Sequence, residues 1–282
     1  MNYRHAFHAG NFADVVKHAL LCRIIGYLQG KEKPFRVIDS HAGRALYDLG
    51  SSEAERTGEH KTGISNLQAS PAWDDPLLAG YRQAVEETQS RFGGAAYPGS
   101  PLIARYLLRR QDRLSAYELH PEEADRLRET FAGDTQVKAI ELDGWLALGA
   151  HLPPKERRGL VLIDPPFEEG EEIERIVEHL VRAHRRWPGG IYAIWYPIKQ
   201  RERHRRFHEL LRESGIPDIV AAELRREAMS ADERLVGTGL VVVNPPYTFE
   251  RDAPAIMRLL LPVLAVAPTA DCGINVLARE KS

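Results

Sequence analysis

Hydrophobic and polar positions along the chain fall into two alternating patterns. Short apolar runs, "FRVID", "LSAYEL", "VKAIEL", "LVLID" and "IYAIWYP", are each followed by a polar turn and, in most cases, a stretch with helical spacing. The helical stretches include "HPEEADRLRETF", "DGWLALGAHL", "EEGEEIERIVEHLVRAH" and "KQRERHRRFHELLRESG". Strand followed by helix, repeated in this way, predicts parallel strands joined by crossover helices, hence an α/β doubly wound sheet. Two later runs, "DIVAAELRR" and "GLVVVNPPY", are close enough to predict an antiparallel pair at one edge. The expected sheet is mostly parallel and has seven strands.

The chain starts with a helical pattern of its own, "NFADVVKHALLCRIIGYLQG". Asn11 is placed to cap it, Val15, Val16, Ala19, Leu20 and Ile24 share a face, and Gly30 is placed to end it. Residues 47–96 break the strand–helix rhythm and predict a helical insertion between the first and second strands of one domain spanning residues 1–282. After it, "YPGSP" reads as a helix start, with Ser100 as cap and Pro101 at the first helical position.

Composition narrows the class. The 282 residues are 43% hydrophobic and 28% charged with a formal net charge of -2, ordinary values for a globular protein. That balance argues against a nonspecific basic nucleic-acid coat while allowing a local basic face. Cys22 and Cys272 are too few for a disulfide framework or a cysteine zinc site, and no Cys/His ligand spacing predicts a metal. The start lacks the apolar core of a signal peptide, and "LLLPVLAVAP" is too short for a membrane span. A cytoplasmic protein without a membrane partner is expected.

In an open α/β sheet, ligands bind beyond the carboxyl ends of the strands near the switch point. Four polar markers fall at such ends: Asp39-Ser40-His41-Ala42-Gly43, Glu118, Asp143-Gly144 and Asp164-Pro165-Pro166-Phe167. A nucleotide-like cofactor needs close backbone approach, a carboxylate for ribose hydroxyls and polar groups at a base edge. Gly43, Glu118 and Asp143 suit those tasks. Taken singly, each has a plainer role open to it: a tight turn, a surface acid, a helix cap. Together, on successive strands, they point to a cofactor cleft.

"DPPF" is the most specific element. A proline ends a strand because it lacks an N–H, which accounts for the stop but not for the acid and the ring. An exocyclic amine is a poor nucleophile because its lone pair is delocalised into the ring. A carboxylate and a backbone carbonyl, held by rigid prolines, can accept its two N–H hydrogens and free that pair for attack on a sulfonium methyl. The aromatic ring offers a face for a flipped base.

The motifs "YRHAFHAGNFADVVKH", "DSHAG", "YPGSP", "ELHP", "DG" and "RGLVLIDPPF", in this order, resemble the bacterial 23S ribosomal RNA adenine-N6 methyltransferase family, RlmJ. The resemblance spans essentially the whole chain. It implies a Rossmann-like class I S-adenosylmethionine-dependent fold and N6-methylation of a specific adenine in protein-free 23S RNA or an early assembly intermediate. It further implies that His18, His41, Ser100, Glu118, Asp143, Gly144 and Asp164 line the S-adenosylmethionine site. Asp164, with Pro165 and Phe167, would be catalytic, and Tyr3, His5 and Lys17 would contact substrate RNA. Two departures stand out: "HAGRA" where the family often has "HAGAG", and Phe167 in place of the commoner tyrosine.

Lys199, Arg201, Arg203, Arg205 and Arg206 crowd one stretch, and Arg185, Arg186, Arg225 and Arg226 are expected at similar sheet-end depth; phosphate contact and a solvated face are both open readings. Two rival functions share part of this evidence. A DNA adenine-N6 methyltransferase uses the same chemistry, but the chain has little room for a separate sequence-reading domain. A noncatalytic RNA-binding module would not need the intact Asp164, Pro165, Pro166 and Glu118. Of the two proline-ended strands, only "DPPF" is expected to be catalytic, with Asn244 of "NPPY" near the edge of the cleft.

Overall fold

The computed structural model describes residues 4–167, 172–229 and 233–279. Tyr3 lies outside them. The eight-stranded sheet uses β1 (Arg36–Asp39), β4 (Arg113–Glu118), β5 (Val137–Glu141), β6 (Gly159–Ile163), β7 (Ile191–Ile198), β8 (Ile219–Arg225), β9 (Gly237–Val243) and β10 (Asp271–Ala278), in the order β10-β8-β9-β7-β6-β1-β4-β5. β5, β4, β1, β6 and β7 pair in parallel, whereas β9 is antiparallel to both β7 and β8. The predicted pair β8–β9 is present, but β9 is inserted between β7 and β8 rather than closing the edge.

The expected count of seven strands is corrected by β10, which pairs antiparallel with β8. Its sequence, "DCGINVLA", includes Asp, Gly and Asn, residues that seldom form strands, and most of it is half-buried or exposed as befits an edge.

Burial follows the period of the strands. Leu160 and Leu162 of β6 enter the core on one face, and Val161 and Ile163 the core on the other. Helices α1 (Phe12–Gln29), α5 (Ser100–Leu107) and α10 (Phe249–Leu264) cover the first face; α7 (Gly144–Ala150), α8 (Glu172–Arg186) and α9 (Arg201–Glu213) cover the second. Between β1 and β4, a two-stranded ribbon of β2 (Leu46–Asp48) and β3 (Ala96–Pro98) closes the neck of a segment carrying α2 (Ser52–Thr57), α3 (Ile64–Gln68) and α4 (Ala79–Phe92).

Asn11 caps α1 by accepting from the Asp14 amide at 2.9 Å, and Gly30 follows its end. The helix is buried on nearly all sides, because α4 packs on it in addition to its neighbours on the sheet face, α5 and α10. Asp14, Lys17 and His18 are therefore buried at its N-terminal end.

Chain order explains where the cleft opens. From β1 the chain moves outward through β4 and β5, then returns to place β6 on β1's other side, which makes β1/β6 the switch point. Asp39, Glu118 and Asp164 lie at or just beyond the carboxyl ends of β1, β4 and β6. β9 runs the opposite way, with Val243 beside Tyr192 at the start of β7. Asn244 therefore sits at the opposite end of the sheet from Asp164, which corrects its expected place near the cleft.

Candidate active site

A cleft of about 260 Å³ opens over the switch point. Among the residues expected for the cofactor, His18, His41, Ser100, Glu118, Asp143, Gly144 and Asp164 all line it, as do His5, Lys17 and Pro165. Phe167 does not. Its ring meets Trp195 edge-on at 5.5 Å and lines a second hollow beside the cleft.

Two glycines let backbone close around the cleft. Gly43 has φ +59°, and a Cβ there would fall 2.3 Å from the Tyr47 hydroxyl. At Gly144 a Cβ would lie 2.0 Å from the Ser40 carbonyl oxygen, so only glycine lets α7 start this near the end of β1. Glu118 holds the first loop in place: its Oε2 accepts from the Gly43 amide at 2.9 Å and its Oε1 from the His120 amide at 2.8 Å. Burial raises its pKa above the usual carboxylate range, opposed by those amides.

Asp143 caps α7, accepting from the Trp145 amide at 2.8 Å, so the plain and the ligand-lining roles coexist in one side chain. Ser100 does not cap α5. Gly99 holds the cap position, and the Ser100 hydroxyl instead donates to Asp39 Oδ2 at 2.6 Å. Pro101 is accordingly the second residue of α5. Burial, offset in part by that hydrogen bond, pushes the Asp39 carboxyl up to about 7.

Lys17 is the hinge of the charge arrangement. Its ammonium stands 2.6 Å from Asp164 Oδ2 and 2.8 Å from Asp14 Oδ1, and the side chain is 4% exposed. Burial would lower its pKa, but the two carboxylates carry it above the ordinary lysine value. Burial would raise Asp14, yet His5 and Lys17 above all hold it well below the usual range. His5 Nε2 lies 2.9 Å from Asp14 Oδ2. Burial pushes the His18 imidazole down to about 3, leaving it neutral, with Nδ1 2.9 Å from the Tyr97 hydroxyl. Desolvation likewise pushes His41 down to about 4.

The first loop departs from "HAGAG" in two instructive ways. Ala45 takes the conformation a glycine prefers, with φ +66°, while fully buried. Arg44 turns outward to form a two-pronged pair with Glu123, at 2.7 and 2.5 Å, tying the loop to helix α6 (Pro121–Thr130).

Sequence reasoning missed Asp14, Tyr47, Glu123, Trp145 and Arg175. Asp14 alone had a local signal, being one helical turn before Lys17 and His18. It also missed a cluster away from the cleft: His204 and His208, one turn apart on α9, converge with Glu223 of β8, their ligand atoms lying within 4.8 Å of one another.

The basic residues divide. Arg225 pairs with Asp271, and Arg226 donates to the Leu264 carbonyl and stacks over Phe12. Arg185 and Arg186 end α8 at the start of β7, on the far side of the sheet from the cleft, contrary to the expected depth. Asn244, with φ +51°, spends its amide on the carbonyls of Pro188 and Gly190, both at 2.7 Å.

The family model described as "RsmJ: Ribosomal RNA large subunit methyltransferase D, RlmJ" matches residues 32–275. Ribosomal RNA large subunit methyltransferase J of Escherichia coli K12 is 38% identical over 99% of this chain and 100% of its own length; that of Haemophilus influenzae Rd is 39% identical over the same shares. The crystal structure of protein LPL1258 from Legionella pneumophila, 34% identical, superposes with a TM-score of 0.87 over 95% of this chain and 98% of that one. Matched nearly end to end in sequence and fold, this chain belongs to the RlmJ family of ribosomal RNA large subunit methyltransferases.

Proposed function

We propose that this protein transfers a methyl group from S-adenosylmethionine to the exocyclic N6 of a specific adenine in 23S ribosomal RNA. The observation that carries the reading is the position of Asp164: it follows β6 at the switch point and lines one cleft together with Glu118, Asp143 and Gly144.

The cleft suits the cofactor. Both oxygens of Glu118 keep acceptor capacity for ribose hydroxyls after binding the Gly43 and His120 amides. Its other acids, Glu123, Asp143, Asp164 and Glu172, outnumber the cations Lys17 and Arg175 that line it with them, which suits a cationic sulfonium. When bound, S-adenosylmethionine supplies the electrophilic methyl. His18, His41, Ser100 and Gly144 would line its site.

Asp164 Oδ and the Pro165 carbonyl would accept the two amine hydrogens of the target base. Lys17 fixes one Asp164 oxygen, which leaves the other to aim at the amine. The prolines keep that geometry from relaxing. Phe167 would stack on the flipped base; its backbone, at φ +52°, is held in a conformation uncommon for a bulky residue, as functional segments often are. Tyr3, His5 and Lys17 belong to the substrate side of this reading, Lys17 through Asp164 rather than by exposed contact. No protein metal ligand enters the displacement.

The relatives' names support ribosomal RNA as the substrate class, and the chain is read as cytoplasmic; no helix among the described residues is long and apolar enough to cross a membrane. Methyl transfer to protein-free 23S RNA from a strain lacking the modification, followed by mapping of the methylated base, tests the proposal. Incorporation at one adenine N6 supports it. Equal incorporation into duplex DNA of matching sequence contradicts it.

A further inference from the structure

The DPPF turn separates two concave sites. Asp164, Pro165 and Pro166 line the cofactor cleft, and Phe167, the next residue, lines a hollow of about 130 Å³ on the other side. We infer that this second hollow is a subsite for the RNA nucleotide adjacent to the target adenine; the inference rests on the function proposed above.

The walls of the hollow match the parts of a nucleotide. Phe167, half-buried, offers the ring face on which one base can stack, and Ile173, Tyr196 and Phe207, nearly fully buried, form the apolar floor behind it. Lys199, Gln200 and Arg203 stand on the rim, two cations and an amide donor suited to phosphodiester oxygens. Glu233, the one acid lining it among the described residues, is an acceptor of the kind a ribose 2′-hydroxyl needs. At half the volume of the cofactor cleft, the hollow suits a single base rather than a second nucleoside conjugate.

The back wall is fixed. Tyr196 donates to Glu223 Oε1 at 2.5 Å, and His204 and His208 place Nε2 atoms 2.5 and 3.1 Å from the same oxygen. Asn275 holds the other Glu223 oxygen at 3.1 Å. This network, buried at Tyr196, His208 and Glu223, joins β7, β8, β10 and α9, so Lys199 just before α9 and Arg203 within it meet the hollow from a fixed base. A strand threading the site would leave its target base at Asp164 and its neighbour at Lys199 and Arg203, parted by the Phe167 ring. Recognition of single-stranded RNA commonly combines such stacking with backbone contacts.

The test is steady-state methylation of protein-free 23S RNA by wild type, Lys199→Glu, Arg203→Glu and, as a control far from the hollow, Arg126→Glu, with S-adenosylmethionine affinity measured by calorimetry. The expected result is a KM for RNA raised about tenfold or more in both hollow variants, with kcat and cofactor affinity within about twofold. The dependence of log KM on log salt should also become shallower, by about 0.7 for each lost phosphate contact, a change that misfolding would not produce. Unchanged KM and salt slope in both variants, with active wild type, would overturn the subsite alone. Wild type that fails to methylate RNA would overturn the functional reading on which it stands.

Discussion

The Lys17 ammonium binds Asp164 across 147 residues of sequence, 2.6 Å from Oδ2, and in the same position binds Asp14. A buried cation thus joins the first helix to the loop after β6. Removing it leaves two carboxylates in a buried site. Lys17→Met should destabilise the protein by about 3–5 kcal/mol, the usual cost of breaking a buried pair from one side. Asp14→Asn combined with Lys17→Met should recover part of that loss. Urea denaturation of the single and double variants checks both; a single-variant loss within about 0.5 kcal/mol, typical of surface positions, would contradict the pairing.

Asp39 gives a pH signature. Its folded pKa, raised by burial to about 7, exceeds the ordinary carboxylate value of 3.8. The folded state therefore binds more protons than the unfolded state between those values. Stability from this group is fully present below about 4 and is lost as pH rises to about 7. Asp39→Asn removes that dependence and keeps an acceptor for Ser100. The Tm of the variant minus that of wild type should grow from pH 4 to pH 7 and then level off, at most about 1.4 kcal/mol of stability per pH unit. A constant difference across this range would contradict the shift.

Ala45 sits where a left-handed backbone favours glycine. Relief of that conformation is worth about 1–2 kcal/mol, and the greater chain entropy of glycine offsets about 0.5–1. Ala45→Gly should raise stability by about 0.5–1 kcal/mol, while Ala45→Val, β-branched in the same place, should lower it. Chemical denaturation of the pair decides; a less stable glycine variant would mean that the methyl group's packing outweighs the strain.

Glu118 anchors the loop that carries Gly43. Glu118→Ala should weaken S-adenosylmethionine binding by about 1.5–3 kcal/mol, the scale of a hydrogen bond to a charged group. Calorimetry on the folded variant measures it. An affinity equal to that of wild type would make Glu118 a purely structural support.

Much of this was legible because strand ends are local. Runs such as "LVLID" announce their own termini, so Asp39, Glu118, Asp143 and Asp164 could be aligned along one sheet edge before any pairing was known. The Asn11 cap was legible for the same reason. What failed depended on distant partners. The direction of β9 is set by its pairing with β7 and β8, so nothing in "LVVVNPPY" announces that Asn244 faces the far end of the sheet. Ser100 carries the residue type of a cap, but Asp39, distant in sequence, takes its hydroxyl. Lys17 and His18 lie on a helix that is apolar on nearly all sides, yet only the packing of α4, α5 and α10 on α1 reveals that these polar residues are buried as well. β10 was missed because Asp271, Gly273 and Asn275 are poor strand formers, tolerated on an edge that is mostly half-buried or exposed.

Of the two similar strand ends, Asp164 is the one proposed to act on substrate. Asp164 lines the cleft, whereas Asn244 binds the Pro188 and Gly190 carbonyls at the opposite end of the sheet. Single-turnover methylation of protein-free 23S RNA by Asp164→Ala and Asn244→Ala, both verified as folded, tests this directly. The expected result is a fall of roughly a hundredfold or more for Asp164→Ala, the scale of losing one preorganised electrostatic group, and a rate within about tenfold of wild type for Asn244→Ala, whose effect falls on stability. The reverse ranking would contradict it.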